Sequence, residues 1–136
     1  MKRLNLLIVM IMALGMNVSC TGQPATNDKN PAVSEAGDVE VYYFHTTRRC
    51  VTCQAVETVA KEAIVDMYGD RVSFTGYNLE ETDGEQKARE LGVSGQTLLI
   101  VHGDQKINIT NEGFMYARSD PEKFKKIISD HITPLL

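Results

Sequence analysis

The segment VYYFHTTRRCVTCQAVE, residues 41–57, passes from a strand pattern to a helix pattern and carries two cysteines at the change. Its first four residues are β-branched or aromatic, which is typical of strands. From Cys50 to Tyr68 the chain has no proline or glycine, and apolar residues recur at the spacing of an amphipathic helix. The CxxC pair, Cys50 and Cys53, is therefore predicted to begin a helix that follows a strand.

The rest of the domain continues this alternation of strands and helices. The other predicted elements are strands at 71–79, 97–102 and 105–110 and helices at 81–91 and 119–132. Gly69 should end the first helix, and Asp120 should cap the last one, with Pro121 at its first position. The order β-α-β-α-β-β-α suggests that the first two strands pair in parallel through a helical crossover and that the last two form a hairpin. We therefore predict an α/β fold, a three-layer α/β/α sandwich around a mixed sheet of about four strands.

The first 37 residues differ in character from the rest of the chain. Residues 1–19 contain two basic residues, an apolar run and small residues, which is the layout of a bacterial secretory signal. The residues before Cys20 resemble a lipobox, although Asn17 replaces the usual aliphatic residue, and we expect Cys20 to be the lipidated first residue of the mature chain. Ordinary cleavage that leaves Cys20 as a free thiol is the alternative. Residues 20–37 are predicted to be a flexible tether, and the domain is predicted to span 38–136.

Charge and export limit the partners that we expect. The sequence has 14 basic and 18 acidic residues, and removal of residues 1–19 deletes two basic residues, which leaves 12 against 18 and a formal net charge of −6. An acidic domain repels phosphate backbones, which argues against nucleic-acid binding. We expect an exported protein that its lipid holds at the periplasmic face of a bacterial membrane.

A CxxC pair can serve as a structural staple, a metal site or a redox pair. With Cys20 lipidated, Cys50 and Cys53 remain as one pair in an oxidising compartment. A disulfide between them closes too small a loop to stabilise the fold much. Four-coordinate zinc needs two more ligands, and with only His45 nearby and no second CxxC a closed site would require a dimer. The redox use therefore fits the sequence best.

The position of Cys50 makes it the expected nucleophile. At a helix N-terminus the unpaired N–H groups and the helix dipole favour a thiolate over a thiol, and Arg48 and Arg49 add positive charge. Such effects lower the pKa of a CxxC thiol from about 8.5 to about 7 or below. Cys53, about one turn further along the helix, is expected to be less accessible and to resolve the mixed disulfide. Alternatively, the two arginines do not affect the thiol and only form a solvated basic loop. Such a loop would still attract an acidic partner surface.

This element order, with CxxC between the first strand and the first helix, resembles the thioredoxin fold over residues 38–133. The quoted segment is also similar to a small family of exported thioredoxin-like proteins, the nitrophenyl compound nitroreductase subunit ArsF family. The resemblance implies a redox role. The family's name further points to reduction of nitroaromatic arsenicals alongside an efflux permease.

Two residues depart from the thioredoxin pattern where thioredoxins have a buried proton-handling pair. Thioredoxins carry an aspartate six residues before the first cysteine, where this chain has Phe44. The usual lysine partner aligns with Gly76. Deprotonation of the second cysteine would then depend on water, a partner group, or one of two candidates for proton handling, His45 and Glu57. For His45, packing at the end of a strand is the simpler alternative.

A third departure concerns the loop that faces the cysteines. Thioredoxins have a cis-proline just before the third strand, and in the sequence VSGQTLLIV we match Thr97 to that proline. A non-proline cis bond costs about 2.5–4 kcal/mol, so we expect a trans peptide bond. A loop without this proline leaves more room beside the sulfurs, so a metal site remains among the alternatives.

These observations predict a thiol–disulfide oxidoreductase that relays electrons to or from the thiols or disulfides of another exported protein. The only redox group we expect is the Cys50–Cys53 disulfide itself, without a further cofactor. A membrane thiol-transfer protein that carries electrons from the cytosol is the natural reductant. The alternatives are a metal or iron–sulfur binding module and a binding lipoprotein that kept the fold without turnover.

Overall fold

A four-stranded mixed sheet lies at the centre of the described residues, 38–136 of a computed structural model. The strands are β1 (Val39–His45), β2 (Val72–Asn78), β3 (Thr97–His102) and β4 (Gln105–Asn108), and the helices are α1 (Val51–Tyr68), α2 (Thr82–Leu91), α3 (Thr110–Tyr116) and α4 (Pro121–Ile132). The strands lie in the order β2-β1-β3-β4, with β1 parallel to β2, and with the β1–β3 and β3–β4 pairs antiparallel. This is the thioredoxin-like α/β fold that the sequence predicts.

The N-terminal predictions fall outside the described residues. They are the secretory signal at 1–19, the lipidation of Cys20 and the tether at 20–37. Within residues 38–136, no helix combines the length and the apolar character that crossing a membrane requires.

The central strand β1 is buried on both faces because helices cover each side of the sheet. Val41 and Tyr43 point into the larger core, which β1 and β3 form with α1 and α4. Tyr42 and Phe44 point the other way, into a smaller core that α2 covers. Burying side chains of this size contributes roughly 1.5–3 kcal/mol each. The alternation of side chains along β1 thus decides which residues lie beneath α1.

The helix α1 begins and ends at the residues that the sequence indicates. Cys50 is its N-cap with an extended backbone, and Gly69 follows its last residue with a φ of 56°. A positive φ is costly for residues with a Cβ atom, so glycine is the favoured residue at this position. The last helix also begins as predicted, because the Asp120 carboxylate accepts a hydrogen bond from the Lys123 backbone N–H at 3.1 Å.

The sequence prediction missed the helix α3. The predicted strand at 105–110 stops at Asn108, whose side-chain oxygen accepts hydrogen bonds from the Thr110 N–H at 3.0 Å and the Thr110 hydroxyl at 2.6 Å. This turn redirects the chain into the helix. Gly113 lowers the intrinsic helix propensity of the segment, but a Cβ atom there would lie 3.0 Å from Val56 and 3.2 Å from Phe124. Close packing against α1 and α4 therefore outweighs the propensity.

Gly84 interrupts the helical pattern of α2 for a similar reason. A Cβ atom at this position would lie 1.9 Å from the backbone oxygen of Asn78 and 2.6 Å from its carbonyl carbon. Only a residue without a side chain allows the first turn of α2 to approach the end of β2 this closely.

Replacing Gly84 by alanine should lower the free energy of unfolding by about 1–3 kcal/mol or more, as expected for overpacking against a rigid backbone. In an unobstructed helix the same change would stabilise the protein by about 1 kcal/mol. Urea denaturation of the oxidised protein measures the difference. Gly95→Ala is the control, because a Cβ atom there meets open space and the glycine has no positive φ. A Gly84→Ala variant as stable as the wild type would contradict the close approach.

Candidate active site

Cys50 and Cys53 form a disulfide at the N-terminus of α1, with their Cα atoms 5.1 Å apart. Cys50 lies before the first residue of the helix and Cys53 lies within its first turn. The pair closes a loop of two intervening residues, so its effect on the entropy of the unfolded chain is small. A disulfide in this place is suited to reversible reduction and oxidation rather than to stabilising the fold.

The two sulfurs differ in their exposure and in their partners. Cys50 is exposed, whereas only 5% of Cys53 is accessible. The Cys53 backbone N–H donates a hydrogen bond to the Cys50 Sγ atom at 3.2 Å. The first turn of α1 contains no acidic residue that would offset the positive end of the helix dipole. A thiolate at Cys50 would therefore be accessible and electrostatically stabilised.

The residue beneath Cys53 is Tyr43 and not Phe44. The spacing of six residues before Cys50 matches Phe44 to the buried aspartate of thioredoxins, but Phe44 lies on the opposite face of the sheet, stacked on Tyr77 with 5.7 Å between ring centroids. The Tyr43 hydroxyl instead donates a hydrogen bond to the Cys53 carbonyl oxygen at 3.0 Å. Gly76 pairs with Tyr43 across the parallel strands. The side chain of β1 that contacts Cys53 is therefore a polar one, the Tyr43 phenol.

The loop before β3 brings Gln96 to the cysteines. The prediction assigned Thr97 to the proline position just before this strand, but Thr97 is the first residue of β3 and its hydroxyl donates to the Gly95 oxygen at 2.9 Å. The residue that directly precedes the strand is Gln96. The Gln96 Oε1 atom lies 3.6 Å from the Cys53 Sγ atom, and its Nε2 atom lies 3.1 Å from the Tyr43 oxygen. No cis peptide bond occurs within residues 38–136.

The two arginines before Cys50 have different surroundings. Arg49 forms an ion pair and a hydrogen bond with Glu57, so much of its charge is offset within the protein. Arg48 is exposed and lies near Glu80. Hydrogen bonds from Thr47 and, as a smaller effect, the charge of Arg48 lower the pKa of Glu80 below its ordinary value. Arg48 is therefore the arginine that presents its charge to solvent.

His45 and Glu57, the two candidates for proton handling, lie together over Gly76. A Cβ atom at Gly76 would lie 3.0 Å from Glu57 Oε1 and 3.9 Å from His45 Nε2. The other ring nitrogen of His45, Nδ1, is 3.0 Å from the Thr46 carbonyl oxygen, so the N–H of this ring is held at Nδ1. The missing side chain at Gly76 thus makes room for a carboxylate and an imidazole on the face of the sheet that carries Tyr43.

The described residues contain no cluster of three or more His, Cys, Asp or Glu side chains that could hold a metal ion. Within residues 38–136, the cysteines are joined to each other, and Gln96 and Tyr43 are the polar side chains in contact with Cys53. The arrangement that the structure brings together is a thiol–disulfide pair with neutral hydrogen-bonding groups behind it.

No protein-family model matches the chain, and no curated protein matches it either. Similar solved structures include the germline-specific thioredoxin Deadhead from Drosophila melanogaster, with 16% identity over 69% of this chain and 81% of that chain and a TM-score of 0.46. A malarial protein is 23% identical over 51% of this chain and 74% of its own, with a TM-score of 0.41. The fold is thioredoxin-like. Strand order and the place of the cysteine pair establish this for the chain itself.

Tyr43 should make the stability of the oxidised protein depend on pH in the alkaline range. Burial raises the pKa of Tyr43, and the hydrogen bond from Gln96 offsets this only in part. In the unfolded chain the phenol ionises near pH 10, whereas in the folded protein it stays protonated to higher pH. The free energy of unfolding should therefore fall as pH rises above about 10, by up to about 1.4 kcal/mol per pH unit for this group.

Denaturation of the wild type and of Tyr43→Phe between pH 9 and 11.5 measures this contribution. The variant should have a shallower decline above about pH 10. At neutral pH it should be less stable by about 1 kcal/mol, because Gln96 and the Cys53 carbonyl lose a hydrogen-bond partner. Equal slopes in the two proteins would mean that Tyr43 ionises as easily in the folded chain as in the unfolded one.

Proposed function

We propose that this protein is a thiol–disulfide oxidoreductase that exchanges electrons with another exported protein through Cys50 and Cys53. The observation that carries the proposal is the asymmetry of the pair at the start of α1. Cys50 is exposed and accepts a backbone N–H, whereas Cys53 is buried behind it. Nucleophilic attack needs an accessible thiolate, and resolution needs a second thiol within reach of the first.

The reaction proceeds in two exchanges when the protein acts as a reductant. The Cys50 thiolate attacks a substrate disulfide, forms a mixed disulfide with one substrate sulfur and releases the other as a thiolate that takes up a proton. Cys53 then gives up its proton, attacks the Cys50 sulfur and releases the second substrate thiolate. Two electrons pass from the dithiol to the substrate, and the protein is left with the Cys50–Cys53 disulfide. The same steps in reverse oxidise a substrate dithiol.

The location and partners that we propose rest on the sequence predictions. A lipid on Cys20 and the tether at 20–37 would hold the domain near the periplasmic face of a membrane, within reach of other exported proteins. A membrane thiol-transfer protein would return the disulfide to the dithiol. The nitroaromatic or arsenical reduction system implied by the ArsF resemblance is the specific setting that we propose for the relay.

Replacing Cys50 by serine should reduce the rate of insulin-disulfide reduction to that of the reductant alone, because a hydroxyl does not attack disulfides under these conditions. The Cys20→Ser variant is the matched control. It lacks the third cysteine but keeps the CxxC pair, and its activity should equal that of the wild type. Activity that survives in Cys50→Ser would show that Cys50 is not the reacting group, and a wild type no faster than the reductant alone would favour a binding role.

Replacing Cys53 by serine should trap a mixed disulfide between Cys50 and the natural partner, because the resolving thiol is absent. The full chain is expressed in bacteria, envelope proteins are separated without reductant, and linked bands are identified by mass spectrometry. The Cys50→Ser/Cys53→Ser double variant controls for other contacts. If no linked protein accumulates above that control, the relay proposal fails. A partner belonging to an arsenical system would support the specific setting.

The reduction potential of the pair should be higher than that of thioredoxin, about −270 mV. The hydrogen bond from the Cys53 N–H and the helix dipole stabilise a thiolate at Cys50, which favours the dithiol form over the disulfide. Equilibration with reduced and oxidised glutathione, followed by thiol alkylation, gives the value. A potential at or below about −270 mV would mean that these groups do not stabilise the reduced state.

A further inference from the structure

Tyr43 fixes the orientation of the Gln96 amide. The Cys53 carbonyl oxygen can only accept hydrogen bonds, so the proton between it and the Tyr43 oxygen, 3.0 Å away, belongs to Tyr43. The hydroxyl has a single proton, and its oxygen must therefore accept from Gln96 at 3.1 Å. The group of Gln96 that faces Tyr43 is consequently the NH₂ group, and the amide oxygen is turned toward the Cys53 sulfur.

This orientation affects the three states of Cys53 differently. In the disulfide the sulfur has no proton, so its 3.6 Å contact with the Gln96 oxygen is not a hydrogen bond. In the reduced protein a Cys53 thiol can donate its proton to that oxygen. A Cys53 thiolate would instead face the negative end of the amide dipole at low solvent exposure, where such repulsion is poorly screened.

The amide cannot easily turn to favour the thiolate. Rotation by 180° would place the Gln96 oxygen against the Tyr43 oxygen, and both would be acceptors as long as Tyr43 donates to Cys53. Turning Tyr43 as well would leave the Cys53 carbonyl without this partner, at a cost of about one hydrogen bond. The preference of Gln96 for the thiol is thus built into the hydrogen-bond pattern.

We propose that Gln96 is the residue that tunes the resolving cysteine, by holding Cys53 as a protonated thiol, and that Tyr43 positions Gln96 for this role. The inference rests on the proposed oxidoreductase function and deepens it. In the step that Gln96 controls, Cys53 transfers its proton to solvent or to the departing substrate thiolate, its sulfur bonds to Cys50, and the Cys50–substrate bond breaks. Gln96 slows this step and so lengthens the lifetime of the mixed disulfide. It also favours the dithiol over the disulfide.

The test compares Gln96→Met with the wild type. Methionine has a similar length and no hydrogen-bonding amide, and the exposed Gln54→Met, next to Cys53 in the chain, is the matched control. Loss of a thiol–amide hydrogen bond should shift the equilibrium with glutathione about three- to tenfold toward the disulfide, where tenfold corresponds to about 30 mV. In a Cys50→Ser background, alkylation of Cys53 should begin at lower pH. Gln54→Met should change neither measurement.

Tyr43→Phe supplies the second variant, since it keeps Gln96 but releases the orientation of its amide. Alkylation of Cys53 in the Cys50→Ser background should again begin at lower pH. In Gln96→Met the same substitution should add no further shift, because there is no amide left to position. Additive shifts in the double variant, or wild-type values for both single variants despite lower melting temperatures, would overturn the proposal and leave these residues a purely structural role.

The outcomes for Gln96 are separable from those for the oxidoreductase function. Equilibration with glutathione and alkylation of Cys53 need no protein substrate. A protein that shows the Gln96 shifts but traps no envelope partner would refute the relay and retain the tuning of Cys53. A protein that traps its partner but shows no shift would retain the relay and refute the role of Gln96. If Gln96→Met does not fold, the pH dependence of Cys53 alkylation in Tyr43→Phe alone tests the role of Gln96.

Discussion

The geometry of the domain depends on which side chains of β1 face α1 and which face α2. We call this alternation the phase of β1. This strand pairs with β2 and β3 and is buried on both faces, so each of its apolar side chains lies either in the core under α1 or in the core under α2. Tyr43 points toward α1, and its hydroxyl contacts the first turn of that helix. The start of α1, and with it the cysteine pair, is thereby fixed to the central strand by a side chain as well as by the connecting loop.

The strands, the helix after CxxC and the position of the two cysteines at the start of that helix could be predicted because their signals are local. Each signal lies within a short stretch of sequence: a strand pattern, a helical spacing of apolar residues or a glycine at a helix end. None of them depends on residues far away in the chain. The phase of β1 could not be predicted in the same way. VYYF has no alternation of polar and apolar residues, since both faces are buried, and nothing in it distinguishes Tyr43 from Phe44.

Gln96 and α3 were missed for reasons that are also physical. Gln96 becomes a neighbour of Cys53 only when β3 pairs beside β1, and a single polar residue in a loop carries no signal of such a distant contact. The start of β3 would have indicated it, because the residue just before that strand lies opposite the cysteines. The α3 segment contains Gly113, which predicts poor helicity, and its helix exists because it packs against α1 and α4.

The space that Gly76 leaves for the Glu57 carboxylate links two positions that are far apart in the sequence. A methyl group there would sit 3.0 Å from the Glu57 carboxylate, which is the free end of a flexible side chain and would move before the backbone did. Glu57 could then no longer hold Arg49 as it does now, and a second positive charge would become available next to Cys50. A larger residue at position 76 would therefore displace the Glu57 carboxylate from its present place. A substitution at position 76, which is not in contact with either sulfur, would thus change the positive charge next to Cys50.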